Sequence, residues 1–562
     1  MKKVSKIYRK TVIAATVVIG ALMSSCTDYL TIIPADKVVE ENFWQTKDQV
    51  NGMLATSYLK LLKTDAVERM IVWGDLRSDN MINPSNKLEL KNLVEANITD
   101  ENKYSNWSIF YEAINYANLV IESAPVVLER DPDFTEGDLQ VVTGEMYAMR
   151  ALCHFYLVRT FRDIPLAMKS AKNDSEIPDY VQVHPLVALD SIMADLNRAE
   201  NMVMKSGAFQ RDDYNFGRIT RNAVLAMKAD VNLWRAAFAT YYQGKTDLAK
   251  NPQGYYDECI KDCDKLLKNM DDAIEEENKN KPVMKYPYNL IQNEVNPNIP
   301  RQSTAYNKIF GSGNSSESIF ELQITGTNAT NGYAKGIYNI YGIGKESPGL
   351  AIVPQTFLDS YPSDDLRKYS YTSYVPNAES GSNTYIVKYS AKSSPASDYR
   401  KSDDFNANWI IYRRTDVMLM KAEALVTRES ADEDDFIEAF NIVNAINTRS
   451  REDTTNIYQP MKVDSYKTKE NAMKLVRDER KRELSFEGKR WYDLVRQALI
   501  EKKVDNILFV ADKLGNIAEV VKTKMSTIDA LFMPIYIDEI RYNKNLKQNP
   551  AFEDKNSSTE MN

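Results

Sequence analysis

GEMYAMRALCHFYLVRTF, residues 144–161, is one of four runs that set the fold class of this chain, the others being NWSIFYEAINYANLVIESA (106–124), LVALDSIMADLNRAENMV (186–203) and TRNAVLAMKADVNLWRAAFATYY (220–242). In the first of these, Trp107, Phe110, Tyr111, Ile114, Ala117, Asn118 and Ile121 recur at three- and four-residue steps, the spacing of one buried helical face. The other runs share that period, which predicts amphipathic helices of about 15–22 residues joined by short loops. An echo runs through them. Ala148-Met149-Arg150-Ala151, Ala226-Met227-Lys228-Ala229 and Leu419-Met420-Lys421-Ala422 each place a small residue one step past a basic one. Small residues at crossing points let helices approach closely, as stacked hairpins of the tetratricopeptide type require.

From about Asn278 to Asn408 the composition turns to Asn, Ser, Gly, Tyr and Pro, with short strand-like pieces such as SIFELQI and TYIVKYS. Helices are expected to resume at about Trp409 with WIIYRRTDVMLMKAEALV and to close with ENAMKLVRDERKRELSFEGKRWYDLVR. The reading is a mainly α protein in which tetratricopeptide-like helical hairpins form a scaffold, with a loop-rich region and short strands packed on it. The expected organisation is a leader over 1–25, an N-terminal helical region over 26–277, and a C-terminal region over 278–552. The last divides into loop-rich 278–408 and helical 409–500, and a polar tail covers 553–562.

The leader is read from Lys2, Lys3, Lys6, Arg9 and Lys10, an apolar run from Thr11 to Met23, the small pair Ser24-Ser25, and Cys26. A positive flank, a short apolar run and a small-residue exit make a secretory signal peptide, too short to span a bilayer alone. A cysteine directly after such a leader resembles the acceptor site of bacterial lipoproteins, so Cys26 is the expected lipidation site. Two or three acyl chains, each buried methylene contributing about 0.8 kcal/mol, would anchor the body without spanning.

Composition fits a large body behind that anchor. The 562 residues are 43% hydrophobic and 27% charged, enough for a sizeable core. Loss of the leader removes five positive charges and leaves 66 Lys+Arg against 79 Asp+Glu, a net −13 that makes nucleic acid a poor partner. Besides Cys26 there are only Cys153, Cys259 and Cys263, and two histidines. Cys259 and Cys263 share a helical face but have no further Cys or His near them, which does not make a zinc site. His154, within ALCHFYLV, reads as core, and His184 precedes Pro185 in a loop. Neither shows the neighbours of a catalytic triad. No cofactor or metal is expected.

Ten segments, taken in order, resemble the SusD/RagB-like outer-membrane nutrient-binding lipoproteins over essentially the whole chain beyond the leader. They are CTDYLTIIP with ENFWQT, WSIFYEAINYANLVIE, GEMYAMRALCHFYLVRTFRDIPL, FGRITRNAVLAMKADVNLW, SSESIFELQ, YPSDDLRK, IIYRRTDVMLMKAEAL, NAINTRSR, DERKRELSFEGKRWYDLVR and FMPIYIDEIRYNKNLKQNPAF. One departure is Arg162, where the family commonly has glycine before the Asp-Ile-Pro turn. The resemblance implies a lipid-anchored protein on the outside of the outer membrane, covering a SusC-like TonB-dependent transporter. It would capture an oligosaccharide, or in some members a peptide, and pass it to the pore without chemistry. A docking lid with little ligand affinity is the other binding alternative.

The motif that looks most like catalysis is Glu479, Arg480, Arg482, Glu483, Glu487, Arg490 and Asp493. Paired carboxylates are what a glycosidase needs, but those must flank a cleft from opposite sides. Glu479, Glu483 and Glu487, four apart and interleaved with Arg and Lys, instead predict intrahelical ion pairs and bridges to neighbouring helices. For sugar binding, exposed aromatics with Asn, Asp and Arg are the expected chemistry, and two clusters outside the helical patterns supply them. WGDLRSDNMI offers Trp73, Asp75, Arg77, Asp79 and Asn80, and TNGYAKGIYNIYGIG offers Tyr333, Tyr338 and Tyr341. Both match regions where the family tends to place its ligand. Trp73 reads equally as a plug between helices, Asp79-Asn80 as a turn, and Tyr338 with Tyr341 as one buried face. Trp107, Trp234 and Trp491 lie in helix patterns and are assigned to packing.

Overall fold

The computed structural model describes residues 43–83, 87–173, 176–279, 287–293, 303–324, 335–342, 349–375, 383–390, 400, 405–452 and 461–553. The leader, Cys26, Tyr333 and the tail beyond Glu553 lie outside the described residues.

The amphipathic runs form the long helices their spacing predicts. In the N-terminal half these are α1 (Lys47–Leu62), α2 (Thr64–Ile71), α3 (Leu88–Val94), α4 (Ser108–Ser123), α5 (Glu136–Phe161), α6 (Pro185–Met202), α7 (Arg221–Tyr242) and α8 (Pro252–Glu277). Their starts are cued locally. Thr46 and Thr135 close capping boxes with Gln49 and Asp138, satisfying backbone N–H groups that would otherwise lack partners. The helices then stack in succession, α1 on α4, α4 on α5, α5 on α6, α6 on α7 and α7 on α8. That is the paired-helix layering expected of the scaffold.

The basic-plus-alanine echo has a physical counterpart in this stack. Arg150 on α5 grips Asp195 on α6 with two 2.8 Å hydrogen bonds, and Lys228 on α7 reaches Glu200 on α6 at 2.7 Å and Asp262 on α8 at 3.4 Å. Lys421 bridges Asp264 on α8 and Glu438. Each adjoining alanine (Ala151, Ala229, Ala422) is buried. The small residue admits the next helix, and the basic one clasps it.

The second half adds α9 (Lys335–Tyr341), α10 (Arg414–Thr427), α11 (Glu433–Arg449), α12 (Lys469–Glu483) and α13 (Arg490–Glu501). Three two-stranded antiparallel sheets join β1 (Ile164–Pro165) to β2 (Gln182–Val183), β3 (Ser318–Leu322) to β6 (Trp409–Arg413), and β4 (Thr372–Val375) to β5 (Asn383–Ile386). α10 continues the stack by packing on α8, with α11 and α12 against it, while α13 lies on α7.

Two boundaries differ from expectation. Helix does not resume at Trp409: Trp409–Arg413 is a strand, buried on both faces and paired with β3, and α10 starts at Arg414. Its aromatic and β-branched residues suit a two-sided buried strand as well as a helix, and periodicity cannot separate the two over five residues. The ENAMKLVRDERKRELSFEGKRWYDLVR run is two helices, broken after Glu483, with Phe486 at φ 64° and Gly488 at φ 67° in the connection.

Trp107, Trp234 and Trp491 are buried, as are His154 and all three described cysteines. His154 accepts a hydrogen bond from the Ala167 N–H at 3.3 Å, and burial pushes its imidazole down to about 3, so it stays neutral. His184 caps α6, accepting from Leu186 N–H.

Candidate functional site

The two aromatic-polar clusters, some 260 residues apart in sequence, are brought together. α2 runs into a π-helical turn, Val72–Leu76, and the chain then continues to Ile82, which bridges to Ile352. On the other side α9 lies across α2. Gly336 makes this possible, because a Cβ there would meet Val67 and the Thr64 carbonyl at 2.8 and 2.9 Å. Asn339 Nδ2 fastens the crossing to Glu68 at 2.7 Å. The strand-like stretch 350–352 joins them, with Leu350 N–H and Ala351 N–H donating to the carbonyls of Asn339 and Ile340, and Ile352 paired to Ile82 and Tyr385.

The individual side chains sit differently from the sequence expectation. Trp73 is 2% exposed, stacked on Phe110 at 5.1 Å and edge-on to Phe161 at 5.5 Å, and its indole donates to the Tyr104 carbonyl at 2.8 Å. It is the plug. Asp75 accepts from Gly488 N–H at 2.6 Å, Arg490 N–H at 3.2 Å and Asn80 Nδ2 at 3.0 Å, so Asp75 and Asn80 are both committed inside. Burial pushes the Asp75 carboxyl up to about 6, with the three N–H donors restraining the rise. Arg77 donates to the carbonyls of Leu531 and Ala530 at 2.8 and 2.6 Å and lies over the Trp491 ring at 4.3 Å. Asp79 is paired with Arg490 at 2.8 Å and Lys481 at 2.9 Å. Burial would raise its carboxyl, but these two cations carry it below the usual carboxylate range. Tyr341 is fully buried, its hydroxyl donating to the Phe486 carbonyl at 2.9 Å.

These six side chains therefore build the platform and face inward. The physical reason is the close approach of Gly74 and Gly488, whose backbones touch, so that the 73–80 segment is stitched to the α12–α13 connection instead of arching into solvent. Tyr338 is half-buried, with its ring edge on Phe405 at 5.8 Å. The less buried residues beside the platform make up its rim: Asn83 and Tyr338 are half-buried, and Lys87 and Lys335 are exposed. Asn83, which directly follows Ile82 at the end of WGDLRSDNMI, is not singled out by the sequence, and nothing in its own context distinguishes it from a turn residue.

The carboxylate run does not face a cleft. Glu479, Glu483 and Glu487 have fully buried side chains and meet cations from distant segments. Arg367 reaches Glu479 at 2.6 Å and Glu483 at 3.0 Å. Arg413 reaches Glu483 at 2.8 Å and Glu487 at 2.7 Å, Arg449 reaches Glu483 at 2.8 Å, and Lys388 reaches Glu487 at 2.6 Å. Glu479 to Arg482 is the intrahelical member, at 2.8 Å. Burial would raise all three glutamates, but the arginines, with Lys388 at Glu487, hold each below the usual carboxylate range. A general acid must hold a proton near neutral pH, and these three do not.

Sequence comparison now adds to this geometry. Residues 323–552 match the SusD family, and residues 28–233 match a family described as starch-binding and associating with the outer membrane. The chain is a SusD/RagB-like protein. SusD-like protein P38 of Formosa agariphila is 25% identical over 505 residues, covering 84% of this chain and 88% of that protein. A SusD homologue of Bacteroides thetaiotaomicron shares the fold at a TM-score of 0.67 and 18% identity, covering 92% of this chain and 98% of the other. A solved structure described as a laminarin-binding SusD-like protein superposes at a TM-score of 0.59 and 20% identity, covering 90% of this chain and 99% of that one. SusD-like proteins are typically glycan-binding, generally non-catalytic and associated with the outer membrane. Among the described residues of this SusD-like chain, no helix is long and apolar enough to cross a membrane.

The departure at Arg162 has a visible consequence in this SusD-like chain. Arg162 holds φ 68° and ψ −73° while Asp163 N–H donates to the Phe161 carbonyl at 3.0 Å, the geometry of a classic γ-turn, where a glycine is least strained. The arginine is held there by Asp163 at 2.6 Å and by a close pair with Asp529.

Proposed function

We propose that this protein is a cell-surface lipoprotein, anchored through Cys26, that captures an oligosaccharide and passes it to a SusC-like TonB-dependent transporter without altering it. The observation carrying this reading is the convergence of the 73–83 segment and α9 on one platform, within a chain of a typically glycan-binding family. The ligand-facing side chains are then Asn83 and Tyr338 at the rim, with Tyr333, outside the described residues, as a further candidate, while Trp73, Asp75, Arg77, Asp79, Asn80 and Tyr341 set its shape from below. A half-buried tyrosine suits a pyranose, which offers an apolar face ringed with hydroxyls.

Calorimetry of the purified protein against a panel of glycans and peptides tests this, with Tyr338→Ala alongside. Saturable binding of one glycan class, weakened about tenfold or more in the variant, is the expected result. Binding that Tyr338→Ala leaves unchanged would move the site elsewhere. Binding of peptides alone would replace the substrate class, and binding of nothing by folded protein would favour the docking lid. Release of reducing ends from any glycan would overturn the non-catalytic reading.

A further inference from the structure

A small cavity lies directly beneath the platform, lined by Val72, Trp73, Arg77, Thr160, Trp491 and Tyr492 among others, with about 10 Å³ of room for the centre of a water-sized occupant. That admits one small species. Arg77, on its wall, is 95% buried and pairs with no carboxylate among the described residues. Its two terminal nitrogens are spent on the Leu531 and Ala530 carbonyls, and its Nε–H has no hydrogen-bond partner among the described residues. The nearest carboxylates are engaged elsewhere: Asp79 holds Arg490 and Lys481, and Asp75 takes three N–H donors. Lys513, whose side-chain nitrogen donates to the Leu76, Ser78 and Met81 carbonyls, lies near Arg77, and burial pushes its amine down to about 7, so it does not supply the missing negative charge.

Across the cavity, the hydroxyls of Thr160 and Tyr492 share one hydrogen bond at 2.8 Å, which leaves one of their two O–H protons to donate elsewhere. The cavity thus combines an unpaired buried guanidinium, an unspent N–H and an unspent O–H, with indole rings as walls. Burying a cation without a counter-ion is strongly unfavourable, and a donor-rich pocket against it is complementary to a negative charge.

We propose that this cavity is a binding site for a single small monovalent anion of the halide class, chloride under physiological conditions, held by Arg77 Nε and the Thr160–Tyr492 hydroxyl pair. Room for one small species favours a monatomic anion over phosphate or sulfate. The ion ties the 72–77 turn to Thr160 on α5, Tyr492 on α13 and the 530–533 segment, so it stiffens the floor of the platform. The inference depends on the cavity alone and stands whether or not the rim binds glycan.

Crystals of the protein grown in sodium bromide, measured at the bromine absorption edge, test it. An anomalous peak within hydrogen-bond distance of Arg77 Nε is expected, and its absence at saturating bromide overturns the proposal, leaving a water there. In solution, thermal unfolding at constant ionic strength should show a saturable rise of about 1–3 °C when sodium gluconate is replaced by sodium chloride. The double variant Thr160→Val/Tyr492→Phe, which removes both hydroxyls with little change of shape, should fold and shift the chloride midpoint at least about threefold higher. A chloride response unchanged by that double variant, or none in the parent protein, would also refute the site.

Discussion

Glu483→Gln is the sharpest probe of how this fold is held together. Glu483 Oε1 accepts from Arg413 and Arg449, each at 2.8 Å, and Oε2 accepts from Arg367 at 3.0 Å and the Tyr306 hydroxyl at 2.9 Å. An amide of the same shape removes one negative charge and turns one acceptor into a donor facing another donor. With every side chain in the cluster fully buried, no water can take over the lost role. Breaking a buried pair in this way costs about 3–5 kcal/mol, because it strands the cations that remain. For a chain of this size that corresponds to a fall in Tm of about 3–4 °C. Urea denaturation followed by both circular dichroism and tryptophan fluorescence measures the loss. The same carboxylate fixes an acid response. Its proton affinity is depressed in the folded state relative to the ordinary value of 4.5, so its contribution is complete above about pH 4.5 and declines as pH falls through the lower folded-state value. In Glu483→Gln that part of the acid dependence should be missing. A loss below about 1 kcal/mol with an unchanged acid profile would refute the view that the cluster is a dry structural network.

Gly74→Ala should be among the most damaging single-carbon changes, since the added Cβ falls on the Gly488 carbonyl and neither backbone can retreat. A loss above about 3 kcal/mol, or failure to accumulate in soluble form, is expected, whereas Gly52→Ala on the open face of α1 should be neutral or stabilising by up to about 1 kcal/mol. At the γ-turn, Arg162→Gly and Arg162→Ala both delete the pairs with Asp163 and Asp529, but only glycine relieves the positive φ. The glycine variant should be the more stable of the two by about 1 kcal/mol in urea denaturation. Equal stabilities would show that the turn stores no strain.

Periodicity made the helical scaffold legible because each helix buries one stripe against the next, and a pattern of period 3.6 records that directly. The same logic failed at Trp409–Arg413, where both faces are buried and five residues carry no period, and at the connection after Glu483, where the helix ends and Phe486 and Gly488 take positive φ although the flanking sequence keeps the helical pattern. The two aromatic-polar clusters were tied to one site only through the family resemblance, and not legible as surfaces. Composition distinguishes Trp, Asp, Arg and Asn from an apolar core, yet it does not reveal whether their partners will be sugar or protein. For Asp75 the partners are the N–H groups of Gly488 and Arg490, more than 400 positions away, and no local feature of WGDLRSDN announces them.

The division of labour between scaffold and platform follows from where charge is buried. Segments around Glu317, Asp365–Arg367, Lys388, Arg413 and Arg449 come from loops, a short strand and two helix ends, elements that individually bury little apolar surface. They meet on one spine, Glu479 to Glu487, that α12 and the following connection hold in place. Apolar contacts tolerate a slide of one residue at modest cost, but a carboxylate has a fixed set of acceptor sites, and a slide would leave an arginine buried and unpaired at several kcal/mol. The ion network therefore fixes the register of the loop-rich half where hydrophobic packing would not. Gly488 and Asp75 carry that register onward to the 73–83 segment. Loops set on such a base can vary in sequence without loosening the floor they stand on, which is what a family that binds different ligands on one scaffold requires.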